Sequence, residues 1–167
     1  MKKIYVILLG LFLFAIWGKS SFAQDEAKVM RRYDFSSPKA SFESLKKAIK
    51  DKDLEGVLIH NWNIGKILSS NKNIFENFEE FYNKMKTQYP NDSIIESIEE
   101  WYSSNGEWVK LTETEFLKQE EIYSGEHDTT YTHVIAQRTR DGKQIKLVVV
   151  NKNGTKEWWI FIYPGGE

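Results

Sequence analysis

Residues 129–163 read TTYTHVIAQRTRDGKQIKLVVVNKNGTKEWWIFIY, three runs rich in β-branched and aromatic residues with two turn signals between them. Asp141-Gly142 and Asn153-Gly154 are the dipeptides that best suit a two-residue type I′ hairpin turn, because both central residues must take positive φ. The stretch therefore predicts a three-stranded antiparallel meander with a defined register.

That register divides the side chains between two faces. Two-residue loops place Arg140 opposite Lys143 and Val149 opposite Trp158. Since side chains alternate along a strand, one face becomes wholly apolar and must be covered by helices. Its members are Val134, Ala136, Ile145, Leu147, Val149, Trp158, Ile160 and Ile162.

The opposite, outer face mixes rings with polar groups, which is unusual for a solvated sheet surface. Two alternatives are open for it. Either a partner packs on it, a homodimer being the leading version, or another strand segment or the N-terminal tail lies over it. The interface candidates are His133, Ile135, Trp159, Phe161 and Tyr163.

Helical patterns fill the first half of the chain. Ser37 as an N-cap and Pro38 at the first helical position begin a helix that ends near Lys50. Asp53 caps a short second helix towards Trp62, and 61–72 is interpreted as a connection that has room for one helical turn around 64–68. A capping box at 73–76 opens a third helix with an aromatic stripe that ends at Pro90. Residues 92–102 favour a helix over a strand, and 113–123 stay open between the two.

This order of elements predicts an α+β fold, with N-terminal helices packed on a curved antiparallel β-sheet that ends in the three-stranded meander. A chain of 167 residues with 41% hydrophobic residues can bury one core without metals or disulfides. We expect a single cone-like domain over residues 36–167, preceded by a flexible lead-in over 24–35.

Residues 1–23 have the pattern of a secretory signal peptide: Lys2-Lys3, an apolar run over 4–17 and a small-residue cleavage site ending at Ala23. An uncleaved membrane anchor is the alternative. The chain has no cysteine, so it carries neither a lipid-bearing cysteine nor a disulfide. We expect an exported protein, periplasmic or secreted, that is soluble, is not a lipoprotein and has no membrane contact after cleavage.

Charge and ring content narrow the expected partners. Without residues 1–23 the chain has 20 basic and 24 acidic residues, a net charge of −4. Lysine and glutamate are interspersed, with no concentrated basic face, so nucleic acid is not an expected partner. Five tryptophans outside the leader exceed what the core needs, which predicts rings at a groove or an interface.

Two stretches resemble the nuclear-transport-factor-two-like superfamily, the α+β cone fold. They are Ser37–Leu58, in which Asp51-Lys52-Asp53 separates two helices, and Asp141-Gly142-Lys143 through Glu157-Trp158-Trp159-Ile160. The chain looks like the small exported bacterial members of unknown function. The resemblance implies a pocket between helices and concave sheet, and often a dimer through the outer sheet face. It assigns no catalytic residue, because the superfamily includes enzymes, binding proteins and scaffolds.

The pocket that the resemblance implies has four polar or aromatic candidates, His60, Tyr82, Trp101 and Arg138. The sheet face towards it is aliphatic apart from Arg138 at the rim, so we expect no catalytic residue. His127 and His133 with Glu126 and Asp128 follow no known ligand spacing, and we expect neither a metal nor a cofactor. Phosphate loops and nucleophile elbows are absent from the sequence.

These observations favour a non-enzymatic exported domain that binds a small apolar ligand or a protein partner. The alternative is a small cone-fold enzyme of the isomerase or hydrolase kind, with acid and base residues in the pocket between helices and sheet.

Overall fold

The fold is α+β, as the sequence predicts. The computed structural model describes residues 26–68, 77–120, 122–125 and 128–162. The leader, the capping box at 73–76, Glu126, His127 and Tyr163 lie outside the described residues. A helical segment over 26–30 is followed by α1 (Pro38–Lys50), α2 (Leu54–Leu68), α3 (Phe78–Gln88) and α4 (Asn91–Glu99).

Seven strands follow in the part of the chain that the structure describes. They are β1 (Glu100–Tyr102), β2 (Trp108–Lys110), β3 (Thr114–Gln119), β4 (Tyr123–Gly125), β5 (Thr129–Arg138), β6 (Gln144–Lys152) and β7 (Trp158–Ile160). β1 and β2 pair by themselves, and the larger sheet has the order β3-β5-β6-β7, with β4 beside the start of β5. Every pair is antiparallel.

Local signals placed α1 correctly. The Ser37 hydroxyl accepts a hydrogen bond from Ala40 N at 3.1 Å, and Pro38 occupies the first turn. The helix ends where Lys52 takes a φ of +53° and Asp53 begins α2. The predicted break after Trp62 is wrong, because residues 64–68, where one helical turn is expected, continue α2 through Gly65 to Leu68. α4 is a helix as expected but ends at Glu99, and 114–119 forms a strand.

Both hairpins differ in register from the two-residue prediction. Arg138 N donates to Lys143 O at 2.7 Å, so the first loop has four residues, 139–142. The Arg138 guanidinium bonds both carboxylate oxygens of Asp141, at 3.0 and 2.6 Å, and this pair holds the wider loop. In the second hairpin, Asn151 lies opposite Trp158. The Asn151 amide donates to Glu157 O at 2.5 Å and bridges the ends of the two strands.

The faces nevertheless come out as predicted, because each register is displaced by two residues and side chains alternate with a period of two. Val149 lies opposite Ile160 instead of Trp158, on the same apolar face. α1 covers this face, and Phe42, Leu45, Leu147 and Ile160 are fully buried.

The segment over 26–36 packs against α2 and β7, where the sequence predicts a loose lead-in for 24–35. Val29 and Phe35 are buried. The Tyr33 hydroxyl donates to Asp53 Oδ2 at 2.6 Å, and burial of the ring together with this bond raises the pKa of Tyr33. Phe35 O accepts from Trp158 N at 2.8 Å. The segment therefore lies along the outer edge of β7.

Placement of the two adjacent tryptophans is the main correction to the expected surface. Trp159 was expected on an exposed outer face, but its side chain is 2% exposed, whereas Trp158 is only partly buried. The Phe35 ring packs on Trp159 at a tilt of 31° with centroids 4.3 Å apart, and the His60 ring meets Trp159 edge-on at 5.8 Å. The N-terminal segment thus covers this part of the outer face, one of the two alternatives left open by the sequence.

Across the described ranges, no helix combines the length and the apolar character that a membrane crossing needs.

Candidate functional site

An apolar cleft of about 360 Å³ opens between α2, α3, α4 and the residues that follow β7. Five of its nine lining side chains are aliphatic or thioether groups. Both the volume and the lining of the cleft suit a small apolar ligand. Polar groups are confined to one asparagine, one tyrosine and two serines. The lining residues are Leu58, Asn61, Met85, Tyr89, Ser93, Ile94, Ser97, Ile98 and Ile162.

α4 supplies nearly half of this lining because of its local sequence. Pro90 ends the preceding segment, and the first turn of α4 closes with Ile94 N donating to Pro90 O at 3.2 Å. From there the pairs Ser93-Ile94 and Ser97-Ile98 recur at a spacing of four, which puts them on one side of the helix. The apolar residues of each pair are buried, and the serines lie at the opening.

Hydrogen bonding determines what the polar groups of the cleft can offer. Ser93 Oγ donates to Pro90 O at 2.7 Å and Ser97 Oγ donates to Ile94 O at 2.8 Å, so their protons are used within the helix and their oxygens can still accept. The half-buried Asn61 amide has no hydrogen-bond partner among the described residues, and it can both donate and accept.

The cleft also differs in charge from two neighbouring depressions. None of its nine lining residues is charged. A polar depression near the beginning of α3, about 200 Å³ in volume, has three charged residues in its lining, Lys28, Glu55 and Glu79. The depression across α4, about 440 Å³, has six charged side chains, Lys50, Lys52, Asp92, Glu96, Glu99 and Lys110. Charge is therefore absent from the lining of the cleft, although Ser93 and Ser97 at its opening also border a depression with Glu96, Glu99, Glu100 and Lys110.

Comparisons with known proteins add no relative to this geometry. No family model, no curated protein and no solved structure matches the chain. The likeness to the nuclear-transport-factor-two-like superfamily therefore stays a prediction, and function has to be argued from the site itself.

His60, the first predicted pocket residue, lies one position before Asn61 but on the inner side of α2. Its ring is fully buried, and Nδ1 accepts a hydrogen bond from Ile160 N at 3.2 Å. Burial lowers the pKa of His60 to about 3, so the imidazole is neutral and carries its proton on Nε2. Nε2 has no partner within the described ranges. His60 therefore accepts the hydrogen bond from an outward N–H group at the edge of β7, and it does not line the cleft.

The other three predicted pocket residues lie apart from His60 and from one another. Tyr82 borders the 200 Å³ depression, where burial raises its pKa, with Glu55 and Asp53 contributing. Trp101 Nε1 donates to Ile98 O at 2.7 Å and so satisfies a carbonyl at the end of α4. Arg138 is engaged by Asp141 and, at 3.5 Å, by Glu113. The structure therefore does not bring these four residues into one pocket.

The outer sheet face keeps an aromatic group, but at a different place from the one predicted. Ile135 is buried, whereas His133 and Phe161 are partly buried. The Tyr123 and Tyr131 rings stack at 5.5 Å, with His133 beside them. Glu120 Oε2 accepts from Lys146 Nζ at 2.8 Å and lies 3.7 Å from His133 Nδ1. The exposed part of this face therefore centres on Tyr123.

No group of three or more histidine, aspartate or glutamate side chains within the described residues is placed to hold one metal ion. Asp128 and His133 are described, and Glu126 and His127 are not, so the sequence-based expectation about this group is untested.

Sequence reasoning missed the cleft because it depends on how three helices are set against each other. One signal was available in the aromatic stripe of α3, which does not stay in the core along its whole length. Phe78 at its start is buried, Met85 is partly buried, and Tyr89 at its end is 51% exposed. The last turn of the stripe therefore leaves the core and becomes a wall of the cleft.

Proposed function

We propose that this protein is a non-catalytic binding domain that takes a small apolar ligand in the cleft between α2, α3 and α4. The observation that carries the proposal is the lining, in which Leu58, Met85 and Ile94 offer apolar surface while the polar atoms lie on a few uncharged groups. Burial of ligand surface there contributes about 25 cal/mol per Å².

The candidate acid and base groups support binding over catalysis. His60 is shielded by Phe35 and Trp159 and bonded to Ile160 N. Arg138 is paired with Asp141 in the loop between β5 and β6 and is not among the residues that line the cleft. A cone-fold enzyme would need one of these groups within reach of the ligand, since a general base has to touch the proton that it removes.

The test is titration of the purified chain with N-phenyl-1-naphthylamine, an uncharged apolar dye whose fluorescence rises on burial. We expect saturable binding that weakens at least about tenfold in Ser97→Phe, because the ring fills the opening of the cleft. Ser97 is exposed, so the substitution leaves the core intact.

Ser104→Phe is the matched control, since it adds the same ring at an exposed turn residue outside the cleft. We expect it to bind the dye as the wild type does. Absence of saturable binding to the folded chain, or equal weakening in both variants, would reject the proposal.

A protein partner on the outer sheet face is the second candidate function, with a second copy of the chain as the occupant. It is favoured by three exposed apolar side chains on and between β3 and β4, Leu117, Ile122 and Tyr123. Trp159 no longer belongs to this surface, because Phe35 covers it.

Export is proposed from the pattern of residues 1–23. Mass spectrometry of the protein recovered from its host should find a chain that begins at Gln24. An intact Met1 in a soluble cytosolic fraction would contradict it.

A further inference from the structure

We propose that the cleft selects amphiphiles whose head forms hydrogen bonds but carries no charge, such as a medium-chain alcohol. Fatty acids and alkyl amines with the same chain would bind more weakly. This inference rests on the proposed function and names the ligand class for that site.

The first observation is the absence of a counter-charge. Charged residues make up 28% of the chain, yet none lines the cleft. Several charged residues of the same helices line other depressions: Glu55 and Glu79 lie in one, and Glu96 lies in another that also borders Ser93 and Ser97. A carboxylate or an ammonium group held beside Asn61 would therefore lose part of its hydration without gaining an ion pair from the lining of the cleft.

The second observation is the kind of polar group that remains. The half-buried Asn61 amide has no bond among the described residues, so it can meet both a donor and an acceptor on a ligand. Ser93 and Ser97 donate to carbonyls of their own helix and keep only accepting capacity. A hydroxyl head can donate to a serine oxygen and accept from Asn61. A carboxylate cannot donate, and an ammonium cannot accept.

Selectivity then follows from penalties against the wrong heads more than from extra contacts to the right one. All three ligand types share the apolar contacts with Leu58, Met85 and Ile162. They differ in whether the head can be satisfied by neutral groups. We therefore expect the three head groups to be discriminated at the opening of the cleft, by Asn61 and Ser97.

The test compares 1-decanol, decanoate and decylammonium as competitors of N-phenyl-1-naphthylamine at neutral pH. We expect decanol to bind at least about tenfold more tightly than either ion. Decanoate binding as tightly as decanol, or more tightly, would overturn the inference.

Two variants make the assignment specific. Asn61→Leu should abolish the preference for decanol while dye binding persists, because the apolar walls are unchanged. Ser97→Lys should invert the preference towards decanoate, and Ser104→Lys should not. Circular dichroism and thermal unfolding confirm that each variant is folded.

The outcomes separate the two proposals. If the dye and all three competitors fail to bind, the proposed function and the inference both fail. If all three competitors bind with equal affinity, the cleft is a binding site and the selection for an uncharged head is wrong.

Discussion

The buried imidazole of His60 makes folding sensitive to acid. In the folded state its pKa is lowered to about 3 by burial, while the unfolded chain keeps a value near 6.5. The unfolded state therefore binds more protons, and the stabilising contribution is fully present above pH 6.5 and is lost as pH falls below it. Nδ1 accepts from Ile160 N only while it is unprotonated.

We expect the free energy of unfolding to fall by roughly 2 kcal/mol between pH 6.5 and 5, at about 1.4 kcal/mol per pH unit. Urea unfolding at several pH values measures it. His60→Gln should flatten this slope, whereas His133→Gln, at a partly buried position, should keep most of it. If proton NMR shows the His60 imidazole of the folded wild type titrating near pH 6.5, the prediction is contradicted.

Adjacent tryptophans should differ sharply in their effect on stability. Trp159→Ala removes a buried ring that packs on Phe35, and we expect a loss of about 3–5 kcal/mol. Trp158→Ala truncates a partly exposed ring and keeps the backbone bond to Phe35 O, so the loss should be near 1 kcal/mol. Urea unfolding compares them, with Trp159→Phe used if the alanine variant does not fold. Equal losses would place both rings in similar surroundings, against the structure.

At the scale of the element, two glycines in α2 form a matched pair. A Cβ on Gly56 would lie 2.5 Å from the Tyr33 ring, so Gly56→Ala must move this ring from its place against the helix. A Cβ on Gly65 would meet nothing within 4 Å, and there alanine simply favours the helix.

We expect Gly56→Ala to destabilise the protein by about 1–3 kcal/mol and Gly65→Ala to stabilise it by about 0.5–1 kcal/mol. Denaturant unfolding monitored by circular dichroism measures both. Effects of the same sign at the two positions would show that Tyr33 does not pack against α2.

Elements governed by neighbouring residues could be predicted, and those governed by distant side chains could not. The bounds of α1 follow from Ser37 and Pro38, and the sheet faces follow from strand alternation. The hairpin loops came out too short because Arg138 and Asn151 bridge the strand ends, which turn dipeptides do not reveal. The cleft depends on the mutual placement of α2, α3 and α4, for which no local pattern exists.

At the scale of the whole molecule, the homodimer remains a prediction, but the expected centre of its interface is now Tyr123 instead of Trp159. If two copies pack through the outer sheet face, Tyr123 lies in the interface, because it is 45% exposed and stacked on Tyr131. We expect sedimentation velocity to find a concentration-dependent dimer that Tyr123→Lys weakens.

The control for that experiment is Tyr102→Lys, at an exposed tyrosine of the separate β1–β2 sheet, which should leave association unchanged. A single monomeric species at every concentration would reject the dimer.

The two hydrogen bonds along the outer edge of β7 also bear on the order in which the chain can fold. Phe35 O and His60 Nδ1 take the outward N–H groups of Trp158 and Ile160, so the beginning and the end of the described chain complete one another. Contacts that span a hundred residues or more are expected to form late, because the intervening loop must close first. A nascent chain that lacks its last strand leaves Phe35 and His60 without their partners. We therefore expect a chain that ends before β7 to lack the stability of the complete fold.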